Sequence, residues 1–122
     1  MQPKRVLVVD DVEALRELAA ELLASAGYVV STASDGESGL DAIERERPDL
    51  VLLDLGMPRL DGQSVLDRLR ELPAPPAVIV TTGRRGIDFV LPPFVRGTLH
   101  KPVSATELET AVARALDPEK WR

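Results

Sequence analysis

Five short apolar runs alternate along the chain with segments whose apolar residues recur at helical spacing. The first run, Arg5 to Val9 ("RVLVV"), is β-branched and predicts a strand buried on both faces, ending at Asp10 and Asp11. From Val12 to Ala26, the residues Leu15, Leu18, Ala19, Leu22, Leu23 and Ala26 trace one helical face, and Gly27 stands where that helix ends. Tyr28 to Ala33 ("YVVSTA") predicts a second strand. Ser34 and Glu37 have capping-box spacing, which opens a helix through about Glu46 and closes it before Pro48. Leu50 to Leu53 is the third strand, followed by a loop punctuated by Gly56, Pro58 and Gly62. Val65, Leu66, Leu69 and Leu72 mark the next helical face, ended by "PAPP" from Pro73 to Pro76. Ala77 to Val80 ("AVIV") is the fourth strand, with Thr81, Thr82 and Gly83 at its exit.

The alternation then falters. Between Thr82 and Lys101, three glycines and the Pro92–Pro93 pair oppose a full regular helix, so at most a short one is expected. Gly97 to His100 predicts a short last strand. Ser104 and Glu107 form a second capping box, and Leu108, Ala111, Val112, Ala115 and Leu116 give the final helix its apolar face. Strands alternating with helices imply an α/β fold, an open parallel sheet with helices on both faces, in which ligands sit outside the carboxyl ends of the strands.

Composition narrows the classes. At 122 residues the chain has the size of one ordinary domain, and 44% hydrophobic content reads as globular. The expected organisation is one domain over 1–122, with its core from about 4 to 116 and a tail from 117 to 122. No apolar run reaches the length of a membrane span, and "MQPKRVLVVDD" places carboxylates where a signal peptide carries its cleavage site, so the expectation is a cytoplasmic protein without membrane insertion. With no cysteine and a single histidine, thiolate and histidine-rich metal centres are excluded, and any metal is held by oxygen. A net charge of −5 argues against direct nucleic-acid binding.

The strand exits carry complementary chemistry. Asp10 and Asp11 follow the first strand, Asp54 the third, Thr81 and Thr82 the fourth, and Lys101 the fifth. Carboxylates gathered alone repel one another, and a hard divalent cation such as Mg²⁺ (or Mn²⁺) satisfies them. A carboxylate beside such a cation can act as a nucleophile toward a phosphoryl group, giving an aspartyl phosphate. A hydroxyl then hydrogen-bonds one phosphoryl oxygen and Lys101 offsets another. Taken singly, an Asp at a strand end is more simply a cap or a turn, and Asp11 has such a reading as the cap of the first helix. Asp61 and Gly62 read as a turn and helix start without chemistry. His100 reads as a surface strand residue, Arg84 and Arg85 as a solvated loop, and Trp121 as either packed or disordered.

The runs "VLVVDD", "LVLLDLGMPRLDG", "VIVTTG" and "HKP", in that order, resemble the receiver domain of two-component response regulators, in particular the single-domain chemotaxis-regulator type. The resemblance covers roughly Lys4 to Leu116. It implies a flavodoxin-like, doubly wound, five-stranded parallel sheet of order 2-1-3-4-5, with the helix between strands four and five shortened or irregular here. It implies that Asp54 is the phosphoacceptor, that Asp10 and Asp11 are the acid pair, with Asp11 a direct Mg²⁺ ligand, and that Gly56 ligates the metal through its carbonyl. Thr82 is then the switch hydroxyl and Lys101 the phosphoryl-binding lysine, and the Lys101–Pro102 bond matches one that is cis in the family. Thr98 occupies the position where many family members carry an aromatic switch residue, for which Phe89 or Phe94 is a candidate substitute. Gly56 replaces a side chain that tunes phosphoryl lifetime.

The function so implied is Mg²⁺-dependent transfer of a phosphoryl group from a histidine kinase or phosphotransfer protein to Asp54, switching contacts with a downstream protein target. The chain would be a signalling phosphoacceptor that catalyses only its own phosphorylation and dephosphorylation, either stand-alone or excised. The alternative is a non-cycling, receiver-like binding module acting through constitutive contacts, favoured by Thr98 and the irregular segment. A haloacid dehalogenase-type phosphatase carries a second Asp two residues after its nucleophile, where this chain has Gly56. A flavodoxin-like FMN carrier has its phosphate loop after the first strand, where "DDVEA" repels phosphate.

Overall fold

The computed structural model describes residues 2–57, 62–83 and 86–121. Five strands, β1 (Arg5–Val9), β2 (Val29–Ala33), β3 (Leu50–Asp54), β4 (Ala77–Thr82) and β5 (Val95–His100), form one parallel sheet of order β2-β1-β3-β4-β5. The helices are α1 (Glu13–Ser25), α2 (Gly36–Glu46), α3 (Gly62–Leu69) and α4 (Ala105–Ala115). This is the expected doubly wound sheet, and its order is the one the resemblance implied.

Strand periodicity divides the core in two. Alternate residues of the central strands point to opposite faces. Leu7, Val9, Val51, Leu53, Val78 and Val80 join one core cluster, while Val6, Val8, Leu50, Leu52, Ala77 and Ile79 join the other. Ala42 and Ile43 of α2 and Val65, Leu66 and Leu69 of α3 cover the first face; Leu23 of α1 and Leu108, Val112 and Ala115 of α4 cover the second. Continuous apolar runs, rather than alternating ones, are what a sheet covered on both sides requires.

Several boundaries differ from expectation. Helix α2 is capped by Asp35, whose carboxylate accepts the Ser38 amide at 2.8 Å, not by Ser34 with Glu37. The extended backbone of Asp35 aims its side chain at the first turn, where an anion also meets the positive helix end. The Ser104–Glu107 capping box is formed as expected, with both reciprocal bonds present. Helix α3 ends at Leu69, and Leu72 packs on the core from the turn that follows. Strand β5 begins at Val95, two residues before the expected start, because the ladder absorbs a bulge: Val78 pairs Val95 and Ile79 pairs Gly97, leaving Arg96 unmatched.

That bulge turns Arg96 toward the end of α4. Its Nη1 donates to the Ala115 carbonyl at 2.8 Å, and its guanidinium lies 5.2 Å from the centre of the Trp121 ring. Trp121 Nε1 donates to the Arg114 carbonyl at 2.6 Å, so the tail is tied to α4 although the Trp121 side chain stays exposed. Arg96 thereby supplies a donor to one last-turn carbonyl, Ala115, while Trp121 adds to the Asp117 amide already on the Arg114 carbonyl. Among the described residues no helix lies between β4 and β5; Ile87, Phe89, Leu91 and Phe94 instead pack as irregular chain on the α2–α3 face. The Lys101–Pro102 bond is cis.

Candidate functional site

The carboxyl ends of β1, β3, β4 and β5 deliver the predicted residues to one place. Asp54 is the last residue of β3, Thr81 and Thr82 the last of β4, while Asp10 follows β1 and Lys101 follows β5. The strand pairing sets Asp54 beside Thr81 and Thr82 beside His100. Asp10, Asp54, Thr81 and Thr82 are buried, whereas Asp11 is exposed at the mouth.

Each buried carboxylate is partnered. Asp54 Oδ1 accepts the Gly56 amide at 2.9 Å, and Asp54 Oδ2 stands 3.2 Å from Lys101 Nζ. Asp10 Oδ1 accepts the Val12 amide at 2.9 Å, and its Oδ2 lies 3.2 Å from the same ammonium. Among the described residues, no buried side-chain nitrogen or oxygen lacks a partner. Partial burial works against the charged form of Lys101, but the Asp54 and Asp10 carboxylates outweigh it and hold its pKa above the ordinary range. The pKa of Asp11 is raised as well, here at the expense of its charged form. Desolvation, then contact with Asp54 and repulsion by Asp10, raise its pKa against the lowering effect of its own backbone amide.

Three carboxylates facing one ammonium leave an excess of negative charge. Oxygens of Asp10, Asp11 and Asp54 all lie within 4.8 Å of one another, a spacing that fits a hard divalent cation. The donor set is all oxygen, as the absence of cysteine requires.

Not every candidate is drawn in. The Thr82 hydroxyl donates to the Gly86 carbonyl at 3.1 Å rather than to a carboxylate. Thr98 sits on β5 opposite Val80, exposed. Phe89 and Phe94 are half-buried against the core. Asp61, Arg84 and Arg85 lie outside the described residues. One participant escaped the sequence: Arg16, whose Nη1 donates to the Asp10 carbonyl at 2.9 Å. A basic residue in the second turn of a helix reads as solvated, and no spacing rule marks it.

A doubly wound sheet with an acid cluster and a lysine at its carboxyl edge defines a narrow class, and the comparisons agree. The family model described as "Response regulator receiver domain" matches residues 6–113, and the chain belongs to this family of two-component systems. The chain is 43% identical over 121 residues to the positive alginate biosynthesis regulatory protein of Pseudomonas aeruginosa, covering 94% of this chain and 48% of that protein. It is 34% identical over 119 residues to sporulation initiation phosphotransferase F of Bacillus subtilis, covering 95% and 96%. The chain thus spans about half the length of the first relative and nearly all of the second. Among solved structures, the signal receiver domain of a putative Luxo repressor protein from Vibrio parahaemolyticus superposes with a TM-score of 0.81 at 28% identity, covering 94% of this chain and 91% of that one.

Proposed function

We propose that this chain is a phosphoacceptor whose Asp54 takes a phosphoryl group from a histidine kinase or phosphotransfer protein. The observation that carries the reading is Asp54 itself: a buried carboxylate, 3.2 Å from a lysine ammonium and within reach of two further acids. A charge so placed at the end of an apolar strand is costly unless its surroundings use it.

An oxygen of Asp54 attacks phosphorus, the P–N bond of the phosphohistidine breaks, and its electron pair leaves with the imidazole. Lys101 sits to offset charge on a phosphoryl oxygen, and the Thr82 hydroxyl exchanges its Gly86 partner for another. Asp10, Asp11, Asp54 and the Gly56 carbonyl are the groups that would hold Mg²⁺ or Mn²⁺. That ion neutralises the charge gathered between the acids and the phosphoryl oxygens. In a second displacement water attacks the same phosphorus, the bond from phosphorus to the Asp54 oxygen breaks, and the Asp54 carboxylate is regenerated as phosphate leaves, so the chain turns over no substrate but its own phosphoryl group.

The surface beside the site supports a protein donor. Leu15 and Leu18 of α1 are 42% and 51% exposed and line a groove of about 660 Å³ together with Pro102 and Val103, a lining that also includes Asp10 and Lys101. An apolar rim around a charged pocket suits a protein carrying phosphohistidine better than free phosphate. A downstream protein target reads the switched surface. Neither nucleic acid nor membrane insertion is part of the reading: the net charge is −5, and no helix among the described residues is long and apolar enough to cross a membrane. A cytoplasmic, single receiver unit over about 4–116 is the corresponding organisation.

A second reading, the non-cycling binding module, draws on the irregular chain between β4 and β5 and on exposed Thr98 at the aromatic-switch position. Incubation with Mg²⁺ and acetyl phosphate separates the two. Gain of one phosphoryl group by intact mass, lost in Asp54→Asn, is the expected result; wild-type protein that stays unmodified turns the assignment to the binding module.

A further inference from the structure

Asp10 is held at every polar atom. Its amide donates to the Ala33 carbonyl at 3.2 Å, Oδ1 accepts from Val12, Oδ2 meets Lys101, and its carbonyl accepts from Arg16 Nη1. The last contact differs in kind. The Asp10 carbonyl belongs to the peptide plane that joins Asp10 to Asp11, so a bond to that oxygen fixes the direction in which the Asp11 backbone departs.

The Asp11 backbone is held from both sides, by Arg16 on the Asp10 carbonyl and by Asp10 Oδ1 on the Val12 amide. Asp11 is exposed, and the N-cap that follows, Val12, offers no side-chain cap to α1. Arg16 reaches back over the first turn of α1, its own amide bonded to the Val12 carbonyl at 2.9 Å. Among the described residues Arg16 forms no ion pair, so its guanidinium holds the backbone oxygen of a residue whose carboxylate clusters with those of Asp11 and Asp54.

We propose that Arg16 is a positioning residue: by fixing the Asp10–Asp11 peptide it keeps the Asp11 carboxylate where it joins Asp10 and Asp54 in holding a divalent cation. The proposal rests on the cation-holding reading of the site. It also makes a sign prediction. A guanidinium acting only through its charge would repel the cation, and its removal would tighten binding. A guanidinium that orients a ligand does the opposite, since outer contacts of this kind govern metal affinity.

The test is titration of the full chain with Mn²⁺, followed by electron paramagnetic resonance, for wild type, Arg16→Met and Arg16→Lys. Arg16→Met keeps the apolar stem and loses the donors; the expected result is Mn²⁺ affinity about tenfold weaker, with thermal unfolding in chelator close to wild type. Arg16→Lys keeps the charge without the planar fork and is expected to be intermediate. Amide nitrogen and proton shifts of Asp11 and Val12 should move in both variants. Equal or tighter binding by Arg16→Met, or by Arg16→Lys should the methionine variant not fold, overturns the proposal. Wild-type protein that binds no Mn²⁺ overturns the cation-holding reading and this proposal with it.

Discussion

Asp10 and Lys101, 91 residues apart in the chain, meet with Nζ 3.2 Å from Oδ2. The same ammonium is 3.2 Å from Asp54, so one cation ties the first, third and fifth strands together at their carboxyl ends. Lys101 titrates above its ordinary pKa of 10.5, so the stability this pairing contributes is fully present below that pH and is lost as pH rises through the folded value. Lys101→Met leaves the acids facing one another. Urea unfolding in chelator is expected to show a loss of about 1–2 kcal/mol, most of it recovered on adding Mg²⁺, which substitutes for the missing charge.

The cap of α2 offers a direct comparison between neighbours. Asp35→Ala removes the acceptor of the Ser38 amide and should cost about 1 kcal/mol in denaturant unfolding. Ser34→Ala should be close to neutral, the reverse of what capping-box spacing alone suggests.

Close backbone approach makes Gly62 intolerant of any side chain. A Cβ there would lie 2.5 Å from Leu55 Cα and 2.9 Å from the Asp54 carbonyl, both backbone atoms that have little room to move. At Gly39 the nearest atoms are the Val9 methyls at 3.1 Å, which can shift. Gly62→Ala is expected to destabilise by about 1–3 kcal/mol, and by clearly more than Gly39→Ala, in parallel thermal melts.

Away from the site, Glu46 reports on acid stability. A hydrogen bond from Ser31, with Arg45 at 3.1 Å adding to it, holds its carboxyl below the ordinary value of 4.5 despite partial burial. Its contribution is present above pH 4.5 and is lost as pH falls through the depressed folded value. Wild type should therefore exceed Glu46→Gln in unfolding free energy at pH 7, and the gap should close on acidification below pH 4.5; a gap that widens there contradicts the assignment.

Much of this was legible in the residues because the fold repeats one instruction. Apolar runs such as Leu50 to Leu53 and Ala77 to Val80 fit only strands covered on both faces, and the chemistry at their ends is visible once the strands are placed. Boundaries were less legible, since Ser34 and Asp35 both cap well and only the backbone geometry decides between them. The Arg96 bulge, Trp121 against the end of α4, and the hold of Arg16 on the Asp10 carbonyl depend on tertiary approach and leave no periodic trace. Gly62 carries the plainest lesson: a residue that reads as simple punctuation is a point of contact between helix and strand.

The strand order also sets a sequence of assembly in time. Strands β1 and β3 are adjacent in the sheet, so the acids they carry can gather once the third strand has been synthesised, whereas Lys101 arrives only behind β5, which pairs with β4 alone. The charge balance of the site is thus completed by the last strand in the chain, which brings the one ammonium that meets both Asp10 and Asp54.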